Sequence, residues 1–484
     1  MAPKTTLYKA RNLIVWQGGE HRQLENGVLA VKGDKIDAVL PAVPPGAEVI
    51  DLGNAAILPG FVNLHCHPSE VFSSKSFRDD IGNPYFYNSI MYDDFPVIMG
   101  EAAGEIQAKL NLAEIIKSGV TSALIFGGPN SRLEAELAGK LGLRAWVGWG
   151  IRAGDNQEAV PIWDSPDGHN LNFTYNEPEG FHRLEEAAHF VREYQGAFSG
   201  RISTLLAPTQ TMTCTPPMLV MTRKLADDLG VGITIHGSED FVEFEMSVRM
   251  HGKTPVRMMF ETGVLGEDTI IAHCCCIEGH SQVYRGGNDL ELLGASRATV
   301  AHCPWVLMRI GDTLESFRRY LDAGVNIGIG TDTYPSDFIQ EMRYAAAMGK
   351  LVDRDNAAVT ARDVFTAGTA DGAKALGRRD LGRLEKGAKA DFVVVDQNNI
   401  QMAPVRDVVK NLIYCGSRHV VSQVYVDGAC VMQDGQVPGV DEADLCGQLQ
   451  ELAEHAWKNA PAHNRERRSL DEISPLACPR AEIV

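Results

Sequence analysis

The sequence predicts an α/β protein: a (β/α)8 barrel with a small discontinuous β-sandwich domain formed by both chain ends. Three observations predict it. Eight short apolar runs recur within residues 58–384 with helical stretches between them, the pattern of βα units that build a parallel sheet. Both ends of the chain carry strand-and-turn composition of the same kind. Five of the eight runs end at, or just before, a histidine or an aspartate, and in a βα barrel the C-terminal strand ends share one mouth.

Residues 1–57 open the chain with strand-like pieces at 13–16 and 27–31, the turn Lys32-Gly33-Asp34 and a further run from Ile36. Residues 385–440 return to that character. There Ala390-Asp-Phe-Val-Val-Val-Asp396 and residues 421–426 are followed by the turn pairs Asp427-Gly428 and Asp434-Gly435. One composite β-domain is expected from the two segments. The barrel runs between them, at 58–384, with strands at 61–65, 120–126, 145–149, 202–206, 231–236, 269–273, 299–302 and 325–330. Helices are expected at 101–117, 184–194, 217–229 and 313–323, the last stopped by Gly324. Residues 152–181, with Pro161, Pro166 and Pro178, read as a long loop over one barrel face, and 441–484 as a C-terminal helical extension.

At 484 residues, with 44% hydrophobic and 22% charged residues, the chain is long enough for one large barrel and a satellite domain. Forty-five basic against 63 acidic residues give a net charge of -18, which repels phosphate backbones and anionic membrane surfaces. Nucleic acid and membrane are therefore not expected as partners. No stretch approaches the roughly 18 apolar residues of a membrane span, and no apolar run follows the first charges, so a cytoplasmic location is expected. The ten cysteines are scattered apart from the consecutive Cys274, Cys275 and Cys276, which suits reduced thiols better than a disulfide framework.

The chemistry sits at the strand ends. In His65-Cys66-His67 two imidazoles lie two positions apart, so both point to one side of an extended strand and can hold one ion. A lone His-x-His is usually ordinary surface or core, so its context decides. Leu58-Pro-Gly-Phe-Val-Asn-Leu-His-Cys-His67 resembles the strand-one signature of the amidohydrolase superfamily. Gly232-Ile-Thr-Ile-His236-Gly-Ser-Glu239 resembles its fifth strand, Ile271-Ala-His273-Cys its sixth, Val300-Ala-His302-Cys-Pro304 its seventh and Gly328-Ile-Gly-Thr-Asp332 its eighth. Ser118-Gly-Val-Thr121 and Gly382-Arg-Leu-Glu-Lys-Gly-Ala-Lys-Ala-Asp391 extend the likeness to nearly the whole chain. The branch it resembles most contains atrazine and triazine hydrolases, guanine deaminase and adenosine-type deaminases.

That resemblance implies a hydrolase in which His65, His67, His236 and Asp332 bind one divalent ion per chain. The N/O donor set suits zinc, with iron, cobalt and manganese as alternatives. Such an ion lowers the pKa of a coordinated water to about 7. Glu239 is expected to carry protons to the substrate nitrogen, Asp332 to accept one as well, and His273 to stabilise the attacking water or the developing oxyanion. His302, Trp305, Arg78 and Tyr85 are expected to contact substrate. Cys66, Cys274 and Cys303 should alternate to the opposite strand face and fill the layer behind it.

The pattern departs from the family in four places, one of them the segment 72–91, whose Arg78, Tyr85, Phe86 and Tyr87 differ from the usual loop after strand one. Ile202-Ser-Thr-Leu-Leu-Ala-Pro208-Thr209 has no lysine, whereas binuclear members bridge two metals with a carboxylated lysine there. Thr209-Gln210-Thr211 replaces a usual histidine, and Trp305-Val306-Leu307-Met308 replaces a small polar pair, which together predict a less polar pocket. The expected reaction is hydrolysis of a C–N bond, by deamination or by amide, urea or carbamate cleavage. The expected substrate is a small, fairly apolar molecule such as an N-alkyl triazine-like heterocycle rather than an ordinary nucleobase. A catalytically inactive assembly protein is the alternative from another class, opposed by the complete ligand set, and a binuclear dihydroorotase-type cyclic amidase is opposed by the missing lysine. Assembly as a homo-oligomer, dimer or larger, completes the expectations.

Overall fold

The computed structural model describes residues 4–70, 75, 90–154, 175–281, 283–463 and 469–481. Eight parallel strands, Phe61–Cys66, Val120–Ile125, Arg144–Ile151, Ile202–Pro208, Gly232–Gly237, Thr269–His273, Thr299–His302 and Asn326–Ile329, close into a barrel in chain order. The eighth strand returns to the first through Ile329 opposite Asn63. All eight expected strands are present. Most are buried along their whole length, because helices cover the outside and side chains fill the inside, and this is why they read as continuous apolar runs.

Outward side chains such as Ile125, Val147, Ile235, Ile271, Val300 and Ile327 pack against Ile115, Phe190, Leu219 and Phe338 of the surrounding helices. Alternate positions, among them Leu124, Trp146, Leu205, Ile270 and Ala301, form a separate cluster with Ala373, Leu376 and Leu381. That segment also lines a cavity with Trp146, Ser203, Gly232, Thr299 and Asn326 at the strand starts, so it lies at the N-terminal end of the barrel. The C-terminal strand ends remain for chemistry.

Both chain ends build the satellite sheets, as the composition predicts. A four-stranded sheet orders Lys35–Leu40, Val28–Lys32, Thr5–Lys9 and Ile50–Asp51. A six-stranded sheet joins Ala429–Gln433, Val421–Val426 and Phe392–Asp396 to Ala55–Pro59, Asn12–Gln17 and Glu20–Glu25. The strand Ala55–Pro59 runs past residue 57, and the chain changes from sheet to barrel at Gly60. A Cβ there would lie 2.1 Å from Thr121 Oγ1, so only glycine permits the approach.

Two helices differ from their sequence boundaries. Glu177–Tyr194 begins earlier than expected, because Asn176 caps the Glu179 N–H and Pro178 sits in the first turn, where a missing N–H costs nothing. Phe317–Asp322 begins later, because the Ser316 side chain caps the Arg319 N–H and sets the start there. The expected loop over 152–181 falls largely on 155–174, outside the described residues. The C-terminal extension is the helix Glu442–His463 with a short one at Leu470–Ile473. Among the described residues no helix is long and apolar enough to cross a membrane.

Candidate metal centre and active site

Three strand ends place four polar side chains around one point. His67 Nε2 lies 3.2 Å from His65 Nε2, 3.3 Å from His236 Nε2 and 3.4 Å from Asp332 Oδ1. His65 Nε2 is 3.1 Å from the same Asp332 oxygen. Donors about 2.0–2.1 Å from a tetrahedral ion are separated by about 3.3–3.4 Å, so these spacings are those of a coordination polyhedron. Burial pushes the pKa of His236 down to about 4 and that of His65 well below the usual range, which keeps both imidazoles neutral and able to bind a cation. Burial alone would raise the Asp332 carboxyl, but the hydrogen bond from His65 and the surrounding imidazoles hold it well below the usual carboxylate range.

The backbone fixes this arrangement. Thr331 and Asp332 donate their N–H groups to the His65 carbonyl at 3.0 and 2.9 Å, and the His67 N–H donates to the Asp332 carbonyl at 2.8 Å. Buried Asn63 accepts from the N–H groups of His65 and Thr331 at 3.2 and 3.1 Å and donates to Thr331 Oγ1 at 2.8 Å. His236 Nδ1 lies 3.0 Å from the Thr209 carbonyl, which takes the ring proton there and leaves Nε2 for a metal. Ser238, His273, Cys274 and Asp332 all adopt left-handed backbone, with φ of 53, 69, 50 and 58°. Such residues cost about 1–3 kcal/mol each and cluster where geometry matters more than local stability.

Glu239 stands beside the polyhedron, with Oε1 3.6 Å from His273 Nε2. Gln210 donates its amide to Glu239 Oε2 at 2.9 Å, so Oε1 is the oxygen turned to the site. The Glu239 N–H donates to Glu243 Oε2 at 2.9 Å, and Glu243 Oε1 accepts from the N–H and hydroxyl of Thr211. Glu243 is fully buried, and burial pushes its pKa up to about 8. It ties the loops after strands four and five together under Glu239. His273 is 1% exposed, yet neither ring nitrogen has a hydrogen-bond partner among the described residues, so both are available to water or substrate.

Donor atoms within 4.8 Å of one another form three overlapping sets: His65, His67 and His236; His65, His273 and Asp332; His236, Glu239 and His273. The six residues are thus one continuous cluster. His302 stands outside these sets, buried with Nδ1 unpaired, and burial pushes its pKa down to about 3. Trp305 opens the helix Pro304–Arg309. Its ring stacks on Tyr344 with centroids 5.1 Å apart, and the Arg309 guanidinium lies 5.7 Å from the ring. Arg78 and Tyr85 lie outside the described residues. Cys66 and Cys274 pack in the layer between strands and helices, and Cys303 in a neighbouring apolar cluster.

Asn63, Gln210 and Glu243 carry no metal-ligand signature. Gln210 could have been found, because it occupies the strand-four position where the sequence departs from its relatives. Reading that departure as a loss of polarity overlooks its amide, which holds Glu239. Strand four, Ile202–Pro208, contains no lysine.

Known proteins share the family and the fold. The sequence profile of the amidohydrolase family matches residues 56–431. The 5-methylthioadenosine/S-adenosylhomocysteine deaminase of Moorella thermoacetica is 31% identical, over 87% of this chain and 94% of its own length. The 5'-deoxyadenosine deaminase of Methanosarcina barkeri is 29% identical, over 89% and 94%. The structure of an adenosine deaminase from Xanthomonas campestris with bound zinc superposes with a TM-score of 0.78 at 25% identity, covering 94% of this chain and 98% of that one. Atrazine chlorohydrolase from Arthrobacter aurescens, complexed with zinc, shares the fold with a TM-score of 0.77 at 21% identity, over 93% and 100%.

Proposed function

The chain belongs to the amidohydrolase family and is a metal-dependent hydrolase of carbon–nitrogen bonds, and from that premise we propose that it deaminates an amino-substituted N-heteroaromatic ring. Adenosine-type nucleosides, the substrates named for its relatives, are the first class to test. The observation that carries this reading is that Glu239 Oε1 lies 3.6 Å from His273 Nε2, with a Glu239 carboxylate oxygen within 4.8 Å of His236, so this carboxyl is within reach of a ring held beside the cluster. One divalent ion, zinc, fits His65, His67, His236 and Asp332, and the absence of a strand-four lysine supports a single ion.

When bound, the ion supplies a Lewis acid that makes a water nucleophilic near neutral pH. The Asp332 carboxylate takes a proton from the attacking water. Glu239 delivers a proton through Oε1 to the ring nitrogen next to the amino-bearing carbon, so the ring accepts electrons as the new C–O bond forms. His273 hydrogen-bonds the attacking oxygen and stabilises its developing charge. The amino group then takes the proton held by Asp332 and leaves as ammonia. The C–N bond breaks, the new hydroxyl returns its proton to Glu239 as the C=O bond is completed, and one water has been consumed. Gln210 and Glu243 keep Glu239 aimed. His302 and Trp305 are assigned to the substrate side of the pocket.

Ammonia release from the zinc-loaded enzyme tests the proposal, with adenosine-type nucleosides, aminotriazines, N-alkyl heterocycles, ureas and carbamates on one panel. Deamination of the amino-heteroaromatic members is the expected result. Turnover of ureas or carbamates alone would replace deamination by acyl C–N cleavage, with the same residues in the same roles.

A further inference from the structure

A second cluster of donors lies beside the catalytic one, where the loops after strands five, six and seven meet. The left-handed turn at His273 and Cys274 lets the N–H groups of Cys275 and Cys276 both donate to the Ser238 carbonyl, at 3.0 and 2.9 Å. Neighbouring side chains on a strand would diverge, but this turn gathers the two thiols. Cys275 Sγ, Cys276 Sγ and a carboxylate oxygen of Asp312 lie within 4.8 Å of one another, and Cys276 Sγ is 3.9 Å from Asp312 Oδ2.

The surroundings favour a cation. Both cysteines are at most 1% exposed and pack with Phe244, Val283, Val306 and Leu307, so water competes little for the sulfurs. Asp240, 8% exposed, lies nearby, and burial pushes its pKa up to about 7. Its Oδ1 caps the Glu243 N–H, while Oδ2 has no hydrogen-bond partner among the described residues. Two sulfurs about 2.3 Å from a tetrahedral ion are about 3.8 Å apart, so a shift of about 1 Å or less closes the present set around a metal.

We propose that Cys275, Cys276 and Asp312 form a second cation site, distinct from the catalytic centre and selective for thiophilic divalent ions such as cadmium or excess zinc, whose occupation inhibits the enzyme. Soft thiolates select such ions over magnesium or calcium. Entry of the ion releases the two thiol protons and forms two metal–sulfur bonds. The inhibition follows from one contact. The Cys275 thiol donates to the Glu239 carbonyl at 2.7 Å, and an ion that takes this sulfur removes the hydrogen bond and draws on the loop that aims Glu239.

The test uses zinc-loaded enzyme in a background where the exposed Cys415, Cys430, Cys446 and Cys478 are serine, titrated with cadmium chloride. The expected result is a thiolate-to-cadmium charge-transfer band in the ultraviolet, uptake of about one ion beyond the retained zinc, and loss of turnover that tracks the band. Supporting groups alone are worth about 10- to 100-fold in metal affinity, so Cys276→Ser should weaken cadmium uptake by at least that much and make the remaining turnover correspondingly resistant. Asp312→Asn keeps both thiols and should retain the band at weaker affinity, which guards against a folding defect in the serine variant. Inhibition without the band and independent of Cys276 would place cadmium in the catalytic centre and overturn the proposal. A band that saturates while turnover is unchanged would overturn the inhibitory role.

Discussion

Two buried polar regions of the molecule treat their hydrogen-bonding groups in opposite ways. At the catalytic face, His65 Nδ1, both nitrogens of His273, His302 Nδ1 and Gln210 Oε1 are buried without protein partners among the described residues. At the seam between barrel and end sheets, the charges are saturated. Arg144, 1% exposed, forks onto both oxygens of Asp391 at 3.1 and 3.2 Å and onto Asp427 at 2.7 Å, and Lys389 joins Asp427 to Asp34. Unpaired buried groups are expensive, so their concentration at one end of the barrel marks where ligands complete the structure. The seam needs no ligand to be satisfied.

The sharpest way to break this contrast is to remove a group from each side. His65→Ala, His67→Ala, His236→Ala and Asp332→Ala should each abolish turnover and lower zinc content, while circular dichroism stays that of the folded barrel. Chelation should do the same to the wild type. A variant with full activity would remove that residue from the ligand set. The next effect in size is at Glu239. Glu239→Gln keeps the Gln210 contact within reach but cannot shuttle protons, so zinc content should hold while turnover falls about 10²- to 10⁴-fold, roughly 3 to 5 kcal/mol of barrier. Loss of zinc in this variant would move Glu239 into the coordination shell.

The same contrast explains what could be read in the sequence. The eight strands and their terminal histidines and aspartate are legible because each is a local pattern: an apolar run of strand length with a ligand at its end. Asn63, Gln210, Glu243 and Arg144 are not local. Asn63 works on Thr331, 268 positions away, and Arg144 on Asp391, 247 positions away. Glu243 sits in Phe241-Val-Glu-Phe-Glu245, where nothing separates a fully buried carboxylate from a half-buried neighbour on a helix. For His302 and Trp305 the sequence offers only their position after strand seven. The structure gives His302 a buried, unpaired nitrogen and gives Trp305 packing partners on the helix Phe338–Asp353.

On the saturated side, Arg144→Ala leaves Asp391 buried opposite a void, and breaking a buried pair costs about 3–5 kcal/mol. Denaturant unfolding should show that loss, while zinc content and turnover of the remaining folded protein stay near wild type. A fall in zinc affinity without a fall in stability would mean that the seam serves the site directly, and the contrast would fail.

The smallest expected effect tests the seam's exception, His21. Its ring lies against Trp16 and Phe365, and its Nε2 is 3.0 Å from Thr369 Oγ1. That hydroxyl donates to the Phe365 carbonyl, so it accepts from His21, and Nε2 carries the ring proton. Although the residue keeps an exposed edge, Nδ1 is buried without a partner. Burial, reinforced by the nearby Arg383 guanidinium, pushes the pKa from 6.5 down to about 3. Between those values the unfolded chain binds the proton and the folded one does not, so stability falls as pH falls. At most about 1.4 kcal/mol is lost per pH unit, which gives about 1.5–2 kcal/mol from His21 between pH 6.5 and pH 5. His21→Phe retains the aromatic contacts and cannot titrate, so its unfolding free energy should decline less over that range by this amount. Equal slopes for the two proteins would show that His21 finds a partner for its second proton, and the seam would then be as complete at this position as it is around Arg144.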